Sequence, residues 1–130
     1  MGIVVDTCVF VQAERAGIFP ALEQFEENIY ISAITVSELL VGVHRANTAE
    51  RRIKRKAFVD AIVTEIPILD FTAQVAKIHA EICAALLDKG QTIGAHDLQI
   101  AAAALTHNYN VLTYNHSEFS RVPGLLLINT

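Results

Sequence analysis

Apolar residues fall along this chain in short uninterrupted runs, separated by longer stretches in which they recur every third or fourth position. Ile3-Val4-Val5, Ile29-Tyr30-Ile31, Ile66-Pro67-Ile68-Leu69, Val111-Leu112-Thr113 and Leu125-Leu126-Leu127-Ile128 are too short for helices. They read as strands buried on both faces. Pro67 donates no ladder hydrogen bond, so its strand is expected at an edge or to begin there. The intervening segments read as helices. One follows Asp6 to about Arg15, and Gly17 and Pro20 mark a turn before a second short helix through Glu26. Thr35-Val36-Ser37-Glu38 opens an apolar helix running to about Arg45. Thr48 caps another, with Ile53, Ala57, Phe58, Ala61 and Ile62 at helical spacing. Thr72 caps a long helix bearing Val75, Ile78, Ile82, Ala85 and Leu86, with Gly90 as its stop. Gly94-Ala95-His96-Asp97 leads into an alanine-rich helix, Leu98 to Leu105, expected to be buried on more than one side.

The predicted order is β-α-α-β-α-α-β-α-α-β-α-β. Fully apolar strands alternating with helices specify an α/β protein, a parallel sheet of about five strands covered on both faces. The 130 residues fit one domain, spanning 1–130. With 52% apolar and 18% charged residues, the chain is too apolar for disorder. The surplus reserves apolar surface for a partner chain. No apolar run approaches the roughly 18 residues needed to cross a bilayer. The first twenty residues carry Asp6 and Glu14 and lack a basic leader pattern. Two cysteines, Cys8 and Cys83, make no disulfide framework or zinc motif. A reducing, cytoplasmic location is therefore expected.

Net charge is −4, which does not describe a generic nucleic-acid binder. The average conceals an uneven distribution. Arg45, Arg51, Arg52, Lys54, Arg55 and Lys56 face Glu50 alone within one short stretch, so the remainder is more acidic than the total suggests. The stretch reads as a solvated helical face, with contact to a nucleic acid or a partner protein as the alternative for its arginines.

Phosphate-binding, dinucleotide-binding, HExxH and GxSxG motifs are absent. An aspartyl-phosphate phosphatase needs a second Asp two places after Asp6, where this chain has Cys8. What remains is a set of acids at element ends. Asp6 ends the first strand, Glu38 falls in the first turn of one helix, Asp97 starts another, and Asn115 and Glu118 follow the fourth strand. In a parallel sheet these positions share one rim, beyond the carboxyl ends of the strands where ligands bind. Carboxylates about 4 Å apart repel by about 4 kcal/mol in a partly screened site. Mg²⁺ or Mn²⁺, with their preference for hard oxygen ligands, would offset that repulsion. Each acid also has a purely structural reading. Thr35-Val36-Ser37-Glu38 is a capping box, Asp97 fits a helix first turn, and Asn115 fits a turn after a strand. His96 reads as a surface histidine or one supporting its neighbours, and Cys8 as a buried thiol without an activating base.

Four segments carry a resemblance to a known family: Val4-Val5-Asp6-Thr7, Ile34-Thr35-Val36-Ser37-Glu38-Leu39, Gly94-Ala95-His96-Asp97-Leu98-Gln99-Ile100-Ala101-Ala102 and Leu112-Thr113-Tyr114-Asn115-His116-Ser117-Glu118-Phe119. In that order and spacing the chain resembles the PIN-domain family. Arg121-Val122-Pro123-Gly124-Leu125 is similar to its bacterial toxin branch, the VapC-like ribonucleases. The resemblance implies a three-layer α/β/α sandwich, a Mg²⁺- or Mn²⁺-dependent endoribonuclease, a homodimer and a small cognate antitoxin whose C-terminal segment occupies the active-site groove. It places Asp6, Glu38 and Asp97 on the family's core acidic, metal-holding positions. Asn115 stands where an Asp is often found, and Glu118 supplies the charge three residues on. Cys8 stands where Asn or Ser is commoner, while Thr7 and Thr113 keep supporting hydroxyls. The alternative, kept open by the neutral Asn115, is a PIN-like or receiver-like protein-binding module without catalysis.

Overall fold

The computed structural model describes residues 2–17 and 28–128. The expected helix from Pro20 to Glu26 lies outside them. Five strands, β1 (Ile3–Val5), β2 (Ile29–Ser32), β3 (Ile68–Leu69), β4 (Asn110–Leu112) and β5 (Leu127–Ile128), form one sheet in the order β3-β2-β1-β4-β5. Every pairing is parallel, with Ile3 opposite both Ile29 and Asn110, and Val5 opposite Leu112. The helices are α1 (Thr7–Ala16), α2 (Ala33–His44), α3 (Ala49–Glu65), α4 (Ala73–Asp88), α5 (Ala95–His107) and α6 (His116–Phe119).

Successive strand residues point to opposite faces, and both faces are apolar. Ile3, Val5, Ile31 and Leu112 pack against Val9 and Phe10 of α1, Leu39 and Val43 of α2, and Val59 and Ile62 of α3. Val4 and Val111 pack on the other face against Val75, Ile82 and Leu86 of α4, the α5 run Ile100–Ala104, and Phe119 of α6. The result is the expected three-layer sandwich. Fully burying a ring such as Phe10 or Phe119 stabilises each layer by about 1.5–3 kcal/mol. Ala101 to Ala104 of α5 are buried on all sides, as their pattern predicts, because only a methyl lets that helix lie close to both sheet and α4.

Caps explain most helix limits. The Thr48 and Thr72 hydroxyls accept from Arg51 N–H and Val75 N–H at 3.1 and 3.2 Å. Helix α4 ends in a Schellman turn. Gln91 N–H bonds the Leu86 carbonyl, Gly90 N–H bonds that of Leu87, and Gly90 takes φ +67°. Two expectations need correction. Helix α2 begins at Ala33 behind Ser32, so Thr35 is not its cap, and no capping box forms. Glu38 consequently falls in the second turn, not the first. Two strands are also shorter than their apolar runs. Ile66 closes α3 by donating to the Ile62 carbonyl, which leaves Ile68–Leu69 to pair, and β5 begins only at Leu127. Strand β3 is an edge, consistent with Pro67.

Strand β1 pairs with β2 on one side and β4 on the other, and the chain winds away from it in both directions. The crevice above the carboxyl ends of β1 and β4 is the switch point of the sheet. Helices α1 and α2 leave this rim, and α5 begins at it, because a helix feeding a parallel strand must run back across the sheet. No helix among the described residues is long and apolar enough to cross a membrane.

Candidate active site

Asp6 is held at this crevice by its backbone. Its N–H bonds the Leu112 carbonyl at 2.9 Å, extending the β1–β4 ladder by one residue. Asp6 is also the N-cap of α1, yet its carboxylate does not cap the helix. Instead Oδ2 accepts from the buried Thr113 hydroxyl at 2.7 Å and from the Cys8 thiol at 3.2 Å. Only 3% of Asp6 is exposed, so these donors offset much of its desolvation. Thr113 in turn accepts from Asn115 N–H at 2.9 Å, which fixes the chain leaving β4.

Glu38 reaches the same rim from α2. Its Oε1 accepts from the Thr7 hydroxyl at 2.7 Å, and Thr7 stands 3.0 Å from the fully buried Thr35 hydroxyl. The Thr35 side chain is used here, in a contact between helices, and not in the local cap its sequence context suggests. Glu38 Oε2 lies 3.0 Å from His96 Nδ1, in the first turn of α5. Asp97, the next residue, faces Asn115, whose amide donates to Asp97 Oδ2 at 3.4 Å and to Glu118 Oε2 at 2.6 Å. Glu118 also accepts from the N–H of Gly94, the residue that begins α5.

Five sequence-selected residues, Asp6, Glu38, Asp97, Asn115 and Glu118, thus meet at one crevice with Thr7 and Thr113 behind them. Their electrostatics record that proximity. Burial, and then the charges of Asp6, Glu118 and Glu38, push the Asp97 carboxyl up to about 6 from 3.8, against the pull of the Asn115 amide. Glu118 is shifted the other way, chiefly by Gly94 N–H and then by Asn115. Burial raises the Cys8 thiol, so Cys8 serves as a neutral donor to Asp6 and not as a thiolate.

The donor set fits a hard divalent cation, because carboxylate and amide oxygens dominate it. No three His, Cys, Asp or Glu side chains among the described residues form a ready-made cage for an ion. Each carboxylate is turned to its own protein donors instead.

The basic stretch goes elsewhere. Arg51 bonds the Asn47 side chain, Arg52 the Ala46 carbonyl, and Arg55 the Gly42 carbonyl and Glu14. These bonds close the α2–α3 corner, and Arg45 is exposed beside it. Among the described residues none of the four arginines bonds an acid of the crevice. Two contacts escaped the sequence reading: the bond from Gly94 N–H to Glu118 and the approach of His96 to Glu38, each joining residues from separate elements.

A fold of this kind, with acids from β1, α2, α5 and the segment after β4 at one switch point, defines a class. The PIN domain family matches residues 3–125, and the chain belongs to that family. Among its relatives, ribonuclease VapC1 of Rickettsia felis is 38% identical over 125 residues, covering 96% of this chain and 93% of that protein. The tRNA(fMet)-specific endonuclease VapC of Salmonella typhimurium is 31% identical over 121 residues, covering 92% and 89%. Among solved structures, VapBC2 from Rickettsia felis, bound to a DNA fragment from their promoter, has a chain that superposes with TM-score 0.90 at 30% identity. The match covers 100% of this chain and 99% of that one.

Proposed function

We propose that this chain is the toxin of a toxin–antitoxin pair, an endoribonuclease that hydrolyses RNA phosphodiester bonds with Mg²⁺ or Mn²⁺. The observation that carries the reading is the convergence of Asp6, Glu38, Asp97 and Glu118 on one crevice, each held there by neighbouring donors from Thr113, Thr7 and Asn115. Full-length similarity to VapC ribonucleases supports it independently.

Asp6, Glu38 and Asp97 would hold the ion, with Asn115 or Glu118 completing the set. When bound, the cation supplies Lewis acidity, lowering the pKa of a water for in-line attack and offsetting charge on the phosphate oxygens. The protein's own part is orientation. Thr113 and Cys8 fix Asp6, Thr7 fixes Glu38, and the Asn115 amide spaces Asp97 from Glu118. Such attack needs no ribose 2′-hydroxyl, so products carry 5′-phosphate and 3′-hydroxyl ends. The acidic crevice repels RNA until it is neutralised, and Arg45, Arg51, Arg52 and Arg55 are candidates for holding the polymer or the antitoxin nearby. A cognate antitoxin, a homodimeric assembly and a cytoplasmic setting belong to the same reading.

The test is incubation of purified, partner-free protein with total RNA and Mn²⁺ or Mg²⁺, beside an EDTA control and Asp97→Ala. Discrete cleavage requiring both metal and Asp97 is expected. Substantial cleavage by Asp97→Ala or in EDTA would overturn the assignment.

A further inference from the structure

We propose that His96 is a positioning residue which holds Glu38 in the carboxylate centre and sets its separation from Asp97. This rests on the metal-dependent reading above and adds a residue to it. Glu38 has more side-chain freedom to lose than Asp6 or Asp97. It is longer than Asp6 or Asp97, springs from the second turn of α2, and would sweep several rotamers if unrestrained. The structure restrains it at both oxygens from different elements. Thr7 of α1 donates to Oε1 at 2.7 Å, and His96 of α5 stands 3.0 Å from Oε2 through Nδ1.

The position of His96 makes this tie more than an anchor. His96 and Asp97 are consecutive in the first turn of α5, so both side chains spring from the same turn of backbone. Fixing Glu38 to His96 therefore fixes Glu38 relative to Asp97. A carboxylate oxygen has two lone-pair directions, so Oε2 can face His96 and still have one to offer a cation. The His96 side chain is 51% exposed, which means its replacement opens no cavity and leaves the fold standing.

The experiment measures Mn²⁺ binding by calorimetry on the purified chain and its variants, with thermal unfolding and RNA cleavage in parallel. His96→Ala is expected to weaken Mn²⁺ about tenfold or more, as loss of a hydrogen bond to a metal-holding carboxylate does elsewhere. It should lower kcat while leaving KM for RNA unchanged. His96→Asn, whose amide N–H falls near the place of Nδ1, is expected to restore most of the affinity. His96→Gln, whose amide falls near Nε2, is not. Unchanged or tighter Mn²⁺ binding by His96→Ala would overturn the proposal, tighter binding marking His96 as a competitor for Glu38. Failure of His96→Asn to outperform His96→Ala would also overturn it. Wild-type protein that binds no Mn²⁺ would overturn the metal reading itself, and this inference with it. Asp97-dependent binding indifferent to His96 would remove this inference alone.

Discussion

Asp97 bears most of the electrostatic strain of the carboxylate centre. Its carboxyl titrates near 6 in the folded chain and near 3.8 when exposed, so the folded state holds the proton more tightly. Between those values stability falls as pH rises, and above about 6 the whole penalty is present. Asp97→Asn removes it. In EDTA the variant is expected to melt higher than wild type at pH 7.5, with the difference shrinking toward pH 4.5, as thermal scans across that range would reveal. A gap that widens toward acid pH would contradict the assignment of the shift. Thr113 makes the opposite case, because it compensates a buried charge. Thr113→Val leaves Asp6 with only the Cys8 thiol on Oδ2 and should cost roughly 1–3 kcal/mol in urea unfolding, whereas Thr113→Ser should recover most of it. Sequence alone made Asp6 stand out, since an acid directly ending an apolar strand needs partners, whereas Asp97 fitted an ordinary helix first turn as well. Thr35 was misread, because a hydroxyl three residues before a Glu fits a local cap just as well as a contact to Thr7.

Among the elements, α4 was legible from end to end, with Thr72 capping its start and Gly90 turning its finish. Thr72→Ala should lower stability by about 1 kcal/mol while leaving kcat alone, which unfolding and cleavage measured together would establish. The junction between α5 and α6 was not legible. Gly94 N–H bonds Glu118 twenty-four residues later, and Arg121 Nη1 donates to the Thr92 carbonyl at 2.7 Å. No periodicity or motif announces such a clasp. It is visible only when two elements distant in sequence have packed. A Cβ on Gly94 would sit 3.4 Å from Glu118 Oε1 and 3.6 Å from Asp97 Oδ2, which is ordinary contact. Gly94→Ala should therefore be nearly neutral in stability, within about 0.5 kcal/mol. Gly94→Val pushes branched carbons toward both carboxylates, and should cost about 1–3 kcal/mol and sharply reduce cleavage. Equal activity of the two variants would show that the clasp does not position the acids. Strand starts were the other blind spot, since an apolar run can begin before the first paired residue, as at Leu125, ahead of β5.

For the molecule as a whole, the five-stranded parallel sheet and its two helical layers followed from the alternation of strands and helices, while its strand order required the structure. A cation shared by acids from separate elements would stabilise the folded form as a whole. Mn²⁺ at a hundred times its dissociation constant is expected to add about 2.7 kcal/mol, read as a rise in Tm that Asp6→Asn and Asp97→Asn abolish. The strand order has a consequence during synthesis. Strand β1 emerges from the ribosome first, but its neighbour β4 begins only at Asn110, and Glu118 comes later still. At about 5–20 residues per second, roughly six to twenty seconds separate translation of Asp6 from that of Glu118. For nearly all of that interval the nascent chain holds Asp6 without the Thr113 hydroxyl that steadies it. A protein that cuts RNA is thereby unable to assemble its cutting centre until the ribosome has passed the codon for Glu118.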